Sequence, residues 1–181
     1  ILCVTYLTIT SGNLFIVLLI HTFHHLHTPM YFFLSNLSLS DIMITSDIIP
    51  NMLHLLWTGV NMPISFCILQ FYIFGSLTAT ECLLLTVMSY DRYLAICSPL
   101  RYSSIMTIPL CRYLIMFSWS IGFTPTLPVA ACLASTKYCS PYIDHFFCDL
   151  APILEVACSD ITTVKLLAFA FSFLVTLFPF I

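Results

Sequence analysis

The chain has 181 residues, of which 60% are hydrophobic and 7% charged, and its formal net charge is −3. Soluble domains carry roughly 25% charged residues, so this composition excludes a water-soluble fold, and the small net charge gives no reason to expect a nucleic-acid partner. The apolar runs are long and do not alternate, which points to membrane-spanning helices rather than a β-barrel.

Five apolar segments follow one another, at about 1–21, 30–56, 64–97, 110–133 and 161–181. Each is of a length to cross a hydrocarbon core of roughly 30 Å. No internal repeat and no low-complexity linker divides them, so residues 1–181 read as a single transmembrane domain. The chain begins with Ile1 rather than Met, and its first apolar run passes into HTFHHLHTP with no small-residue cleavage site. A span is therefore expected there rather than a signal peptide. The last run is still apolar at Ile181. Truncation at both ends, as in a fragment of a longer chain, is the expectation.

In the first span, Asn13 is a polar side chain in hydrocarbon, expected to hydrogen-bond to a neighbouring helix. The turn after it carries His21, His24, His25 and His27. Their spacing suits no particular tetrahedral metal site, and a polar turn at headgroup level explains them. The second span opens on Pro29, a favoured first-turn residue. Asp41 follows about 18 Å deeper at 1.5 Å per residue. Asp47 and Pro50-Asn51 come later in the same span, where a bend is expected.

The third span carries the most information. From Cys67 to Arg92 it has no proline, and Glu81 is its only charge before Asp91. That distance corresponds to about 37 Å of helix. At 100° per residue, Phe74, Glu81 and Arg92 fall within about 20° of one another, with Cys67 beside them. Such a stripe should face other helices, because an ionisable group turned to lipid costs several kcal/mol. Glu81 lies about 16 Å from the level of Arg92, so it shares the membrane midplane with Asp41. The pair is either protonated and bonded to nearby Ser, Thr or Asn, or it is a cation or proton site.

Arg92, Arg101 and Arg112 surround one loop and make up three of the five Lys and Arg residues. The positive-inside rule puts that loop in the cytoplasm and the N-terminus outside. Trp119 in the fourth span reads as packing, and Pro125 and Pro128 should kink or end that helix. The long segment of about 134–160 then lies outside, with Cys139, Cys148 and Cys158 at the same face as Cys67. Four thiols in an oxidising compartment imply disulfides, and three pairings are open. Cys3, Cys82, Cys97, Cys111 and Cys132 read as small apolar residues, with Cys97 and Cys111 as weak lipidation candidates. His145 beside Cys148 and Asp149 invites an enzymatic reading, but a cysteine on an outer face pairs rather than attacks. No enzyme is expected.

Four stretches carry a family resemblance: LHTPMYFFLSNLSLSDI (26–42), TECLLLTVMSYDRYLAICSPLRY (80–102), SWSIG (118–122), and HFFCDL with ACSD (145–150, 157–160). They resemble the vertebrate olfactory receptors, which are rhodopsin-like G-protein-coupled receptors. The resemblance implies an all-α membrane protein, a seven-transmembrane-helix bundle of which this chain covers helices one to five. It implies that Asn13, Asp41, Arg92, Trp119 and Pro179 are the reference residues of those spans. Asp91-Arg92-Tyr93 resembles the switch whose arginine rests on the neighbouring acid and then meets the G protein. The resemblance pairs Cys67 with Cys148 and Cys139 with Cys158, and makes Asp41 and Glu81 a sodium-linked acidic pair. It places an odorant cavity at Phe74, Gly75, Thr78, Ala79, Phe171, Ser172 and Val175.

The partners so implied are a small, mostly apolar odorant, a stimulatory heterotrimeric G protein and membrane lipid. The implied location is the plasma membrane, and the only implied cofactor is a bound sodium ion. A non-olfactory rhodopsin-like receptor, or a transporter or channel using Asp41 and Glu81, is the alternative. One departure is the turn before Cys67, NMPISFCILQ, which is two residues shorter than is usual in the family. The single N-x-S/T sequence, Asn36-Leu37-Ser38, falls inside a span and should not be glycosylated.

Overall fold

A computed structural model describes residues 1–23, 25, 28–59, 61–143, 145, 147–159 and 161–177. His24, His27, Asp160 and Pro179 lie outside the described residues. The chain forms α1 (Leu2–Thr22), α2 (Pro29–Thr58), β1 (Met62–Pro63), α3 (Ile64–Cys97), α4 (Pro99–Ile105), α5 (Ile108–Phe123), α6 (Thr126–Ser135), β2 (Tyr142–Ile143), α7 (Leu150–Glu155) and α8 (Thr162–Leu177).

Proline and glycine set the helix boundaries. Thr28 is extended and Pro29 supplies a pre-set φ at the first turn of α2. Gly59 ends that helix at φ 63°, a left-handed conformation natural to glycine, with its N–H on Leu55 O at 2.9 Å. Pro50 lies within α2, which continues through it. The sequence reading expects one span over 110–133. The structure breaks it into α5 and α6 at Thr124-Pro125, because proline has no N–H to continue the ladder. Thr126 bridges the break by donating its hydroxyl to Gly122 O at 2.7 Å. Pro128 falls in the first turn of α6, where it is tolerated.

Helices α1, α2, α3 and the Ile108–Ser135 stretch are each long and apolar enough to cross a membrane, and α8 contributes a shorter apolar helix over Thr162–Val175. The 34 residues of α3 make about 51 Å of helix. This helix is the spine of the bundle, touching α2, α5, α6, α4, α7 and α8. One buried cluster packs around Cys67, Val129, Leu133, Ile143, Cys148 and Ile153 at one end of it. Another packs around Phe33, Leu84, Leu94, Cys111 and Ile115 at the other.

Small residues let the spine approach its neighbours. A Cβ added to Gly122 would lie 2.0 Å from Thr80 Oγ1 and 2.8 Å from the Ser76 carbonyl oxygen. Across the same seam Ser76 donates to Thr126 Oγ1 at 3.0 Å, and Thr80 donates to Ser76 O at 2.9 Å. Close backbone approach plus interhelical hydrogen bonds is how helices associate where lipid supplies no hydrophobic drive.

Asn13 corrects an expectation. It is half-buried and makes no hydrogen bond to another helix among the described residues. The extensive neighbour of α1 is α2, and the polar contact between them is Tyr6 Oη with Ser46 Oγ at 3.3 Å.

Overpacking a tight seam costs about 1–3 kcal/mol. Gly122→Ala should therefore lower the thermal unfolding midpoint of the detergent-solubilised protein. Gly12→Ala, where nothing lies within 4 Å of the added carbon, should leave it unchanged.

Candidate functional site

At the Cys67 end, the loop after α6 folds over the helix mouths. Strand β2 pairs antiparallel with β1, Met62 against Ile143 and Pro63 against Tyr142. The short turn before Cys67 thus becomes the strand that holds the loop. Cys139 N–H donates to Val156 O and Cys158 N–H to Lys137 O, both at 2.9 Å. Cys67 pairs with Cys148 at a Cα separation of 5.1 Å, and Cys139 with Cys158 at 5.5 Å. These are the pairings the resemblance implied. Cys67 and Cys148 are both fully buried, so Cys148 is no nucleophile. His145 instead meets Glu155 at 3.6 Å, with both side chains largely exposed.

Beneath this lid, Phe147 sits edge-on to Phe74 with ring centroids 5.1 Å apart. Phe74, Gly75 and Thr78 are half-buried on α3, and Ala79 is buried. Gly75 faces α6, since a Cβ there would lie 3.3 Å from Thr126 Cγ2. Helix α8 touches α3 and buries Val164 and Ala168. Phe171 and Val175 continue that stripe at helical spacing and are half-buried, whereas Ser172 is exposed. The structure thus carries the expected cavity residues on two touching helices, with Gly75 turned toward a third.

Lower along α3, the Glu81 carboxyl lies beside the carboxyl of Asp41 and the hydroxyl of Ser40 on α2. Glu81 Oε1 and Ser40 Oγ are buried without a hydrogen-bond partner among the described residues. The depth match drawn from residue spacing is therefore a contact. All the donor atoms are oxygens, the ligand type that hard cations take. Orphaned oxygens fit that use, and no group of three or more His, Cys, Asp or Glu suited to a metal occurs among the described residues.

The Arg92 end corrects a second expectation. Asp91 is 2% exposed and accepts a hydrogen bond from Tyr102 Oη on α4 at 2.8 Å. Arg92 donates to Met30 Sδ on α2 instead of resting on Asp91. The only ion pair among the described residues is His145 with Glu155. Consecutive helical residues point 100° apart, so the acid turns toward α4 while the arginine turns toward α2. Burial, then the hydrogen bond and charge of Asp91, push the Tyr102 phenol up to about 12. It is therefore a neutral donor throughout the physiological range. Tyr93 is exposed beside them.

Sequence reasoning missed Tyr102, although it stands in the phrase SPLRY that follows the arginine motif. It also missed Asn36, whose Oδ1 accepts from Trp119 Nε1 at 3.4 Å. Trp119 stacks on Phe123 at 5.9 Å as well.

Together these features define a polytopic helical membrane protein with a cystine-held lid at one end of its spine and an arginine motif at the other. The pattern of the 7 transmembrane receptor (rhodopsin family) matches residues 12–181, and the chain belongs to that family. It is 43% identical to Olfactory receptor 6B2 of Homo sapiens over 177 residues, 97% of this chain and 57% of that protein. It is 45% identical to human Olfactory receptor 6F1 over 177 residues, 96% of this chain and 57% of the relative. It is 42% identical to Olfactory receptor 1468 of Rattus norvegicus over 178 residues, 97% and 57% respectively. The chain thus spans somewhat more than half the length of these relatives. The family is one of receptors, not enzymes, and its members are multi-pass membrane proteins.

Losing a native disulfide typically costs 2–5 kcal/mol. Cys148→Ser should sharply reduce the folded, surface-exposed fraction measured by flow cytometry of an epitope-tagged receptor. The double variant Cys67→Ser/Cys148→Ser should do no worse than either single change. Cys139→Ser, at a more exposed pair, should cost less.

Proposed function

We propose that this chain is the ligand-sensing and switch-bearing part of an odorant receptor that sits in the plasma membrane with its N-terminus outside. The observation that carries this reading is the single uninterrupted helix α3. It brings the lid contact Phe74–Phe147 and the Asp91-Arg92-Tyr93 motif onto one rigid element. A small, mostly apolar ligand enters between α3 and α8, against Phe74, Phe171 and Val175, and hydroxyls such as those of Thr78 and Ser172 orient it. Gly75, turned toward α6, and buried Ala79 keep α3 close to its neighbours beside that site. The ligand shifts the receptor only if it binds the active helix arrangement better than the resting one.

In the resting arrangement Tyr102 holds Asp91, and Arg92 lies against Met30 of α2. Activation moves Arg92 off α2 to meet a stimulatory heterotrimeric G protein, whose nucleotide exchange is the readout. Arg92→Ala should abolish odorant-evoked cyclic AMP in the intact receptor while surface expression persists. An unchanged response would overturn this assignment.

Asp41, Glu81 and Ser40 are the residues that would hold a sodium ion, which supplies there a positive charge between two carboxyls. These side chains tie α2 to α3 at mid-depth, so a cation held by them favours the arrangement in which both acids face each other. Replacing sodium by choline should change odorant potency in the wild-type receptor, and Asp41→Asn or Glu81→Gln should remove that dependence. A sodium effect that persists in both variants would count against the site.

A further inference from the structure

A second polar locus lies nearer the Cys67 end of the same α2–α3 seam, on residues the receptor reading does not use. Asp47 stands six residues beyond Asp41, about 9 Å along α2. Its backbone carbonyl accepts from Asn51 Nδ2 at 2.6 Å and from Gln70 Nε2 of α3 at 3.2 Å. One N–H of each nearby amide thus bonds the Asp47 main chain rather than its carboxyl. Asp47 Oδ2 and Gln70 Oε1 remain buried with no hydrogen-bond partner among the described residues. Gln70 is only 2% exposed. Two orphaned acceptors, one of them a carboxyl, in a low-dielectric seam cost free energy unless a donor joins them.

A way in exists. A cavity of about 340 Å³ opens at the mouth of α2 and α3, lined by Asn51, His54, Leu55, Pro63 and Phe66 among others. Asn51 and Phe66 each sit one helical turn outward of Asp47 and Gln70, on the same helix faces. None of Arg92, Arg101, Arg112, Lys137 and Lys165, the five Lys and Arg of the chain, lines this cavity. His54 lies two turns above Asp47, about 10 Å along the helix axis.

We propose that Asp47 and Gln70 form a binding subsite for a protonated primary alkylamine. The ammonium donates to Asp47 Oδ2 and Gln70 Oε1, satisfying both orphans. The alkyl chain extends into the cavity against Leu55 and Pro63, and the Phe66 ring favours a cation nearby. An alkali ion suits the place less well, since it needs more oxygens than this partly apolar lining offers. The subsite is separate from the odorant site proposed between α3 and α8 and from the Asp41–Glu81 pair. It goes beyond the signalling reading and does not rest on it.

The test reads binding directly on the intact receptor, purified into lipid nanodiscs near neutral pH, with no G protein present. n-Hexylamine should raise the thermal unfolding midpoint saturably, and 1-hexanol should not. Asp47→Asn should weaken the n-hexylamine effect by about tenfold or more, as expected for loss of a charge-assisted contact. Gln70→Leu should weaken it as well, which keeps the test decisive if Asp47→Asn fails to fold. Tetramethylammonium, a cation without N–H donors, should bind more weakly than n-hexylamine. Two results would overturn the proposal: no saturable shift in the wild-type receptor, or equal shifts in wild type and the folded variant.

Discussion

Inside hydrocarbon, a polar group finds its partner within the protein or goes without, because no bulk water is there to serve it. That constraint orders this structure. Hydroxyls such as Thr8, Thr45, Thr86 and Ser118 bond back to carbonyls one turn earlier, so most polar side chains in the helices serve their own helix. The few that reach across become the joints of the bundle. Ser76 and Thr126 join α3 to α6, Trp119 and Asn36 join α5 to α2, and Gln70 ties α3 to the α2 main chain. Where no partner is reached among the described residues, at Glu81 Oε1, Ser40 Oγ, Asp47 Oδ2 and Gln70 Oε1, the orphan oxygens mark where a cation or donor would be most welcome.

The two ends of α3 solve different problems. At the Cys67 end the chain must order a long loop over open helix mouths. It does so with a two-stranded ladder and two cystines, the inner one fully buried. Covalent closure of a long segment limits the unfolded chain more than the folded one. At the Arg92 end no covalent tie exists among the described residues. A neutral phenol holds a buried carboxyl, and an exposed guanidinium lies against a thioether. Hydrogen bonds of this kind contribute modestly and exchange readily, as a switch requires, whereas the lid is built to stay closed over Phe74.

Much of this was legible in the residues. The shortage of charge excluded a soluble fold, and the helix from Ile64 to Cys97 was readable from an apolar run bounded by prolines. The level of Asp41 with Glu81 followed from helical rise alone. The break at Thr124-Pro125 was foreshadowed by two prolines, although its place was not. Three other features were hidden. Tyr102 reaches Asp91 because α4 folds back along α3, and no periodicity within either helix announces that. Asn13 looked like an interhelical joint because it is polar, yet α1 makes that joint through Tyr6 and Ser46. Gln70 and Asp47 meet across different helices, 23 positions apart in sequence.

Sequence alone therefore determined the solvent of this protein, the length and depth of its helices, and the family to which its motifs point, because hydropathy and rise per residue are properties of one segment at a time. The tertiary structure decided which polar group meets which: Asp91 with Tyr102, Arg92 with Met30, and Glu81 with Asp41. It also decided which cysteines pair, a choice that the thiols themselves leave open. Rotation of one helix against another about its own axis sets these meetings. That rotation comes from packing at seams such as Gly122 against Thr80, where the absence of a side chain in one helix matters only once a second helix lies upon it.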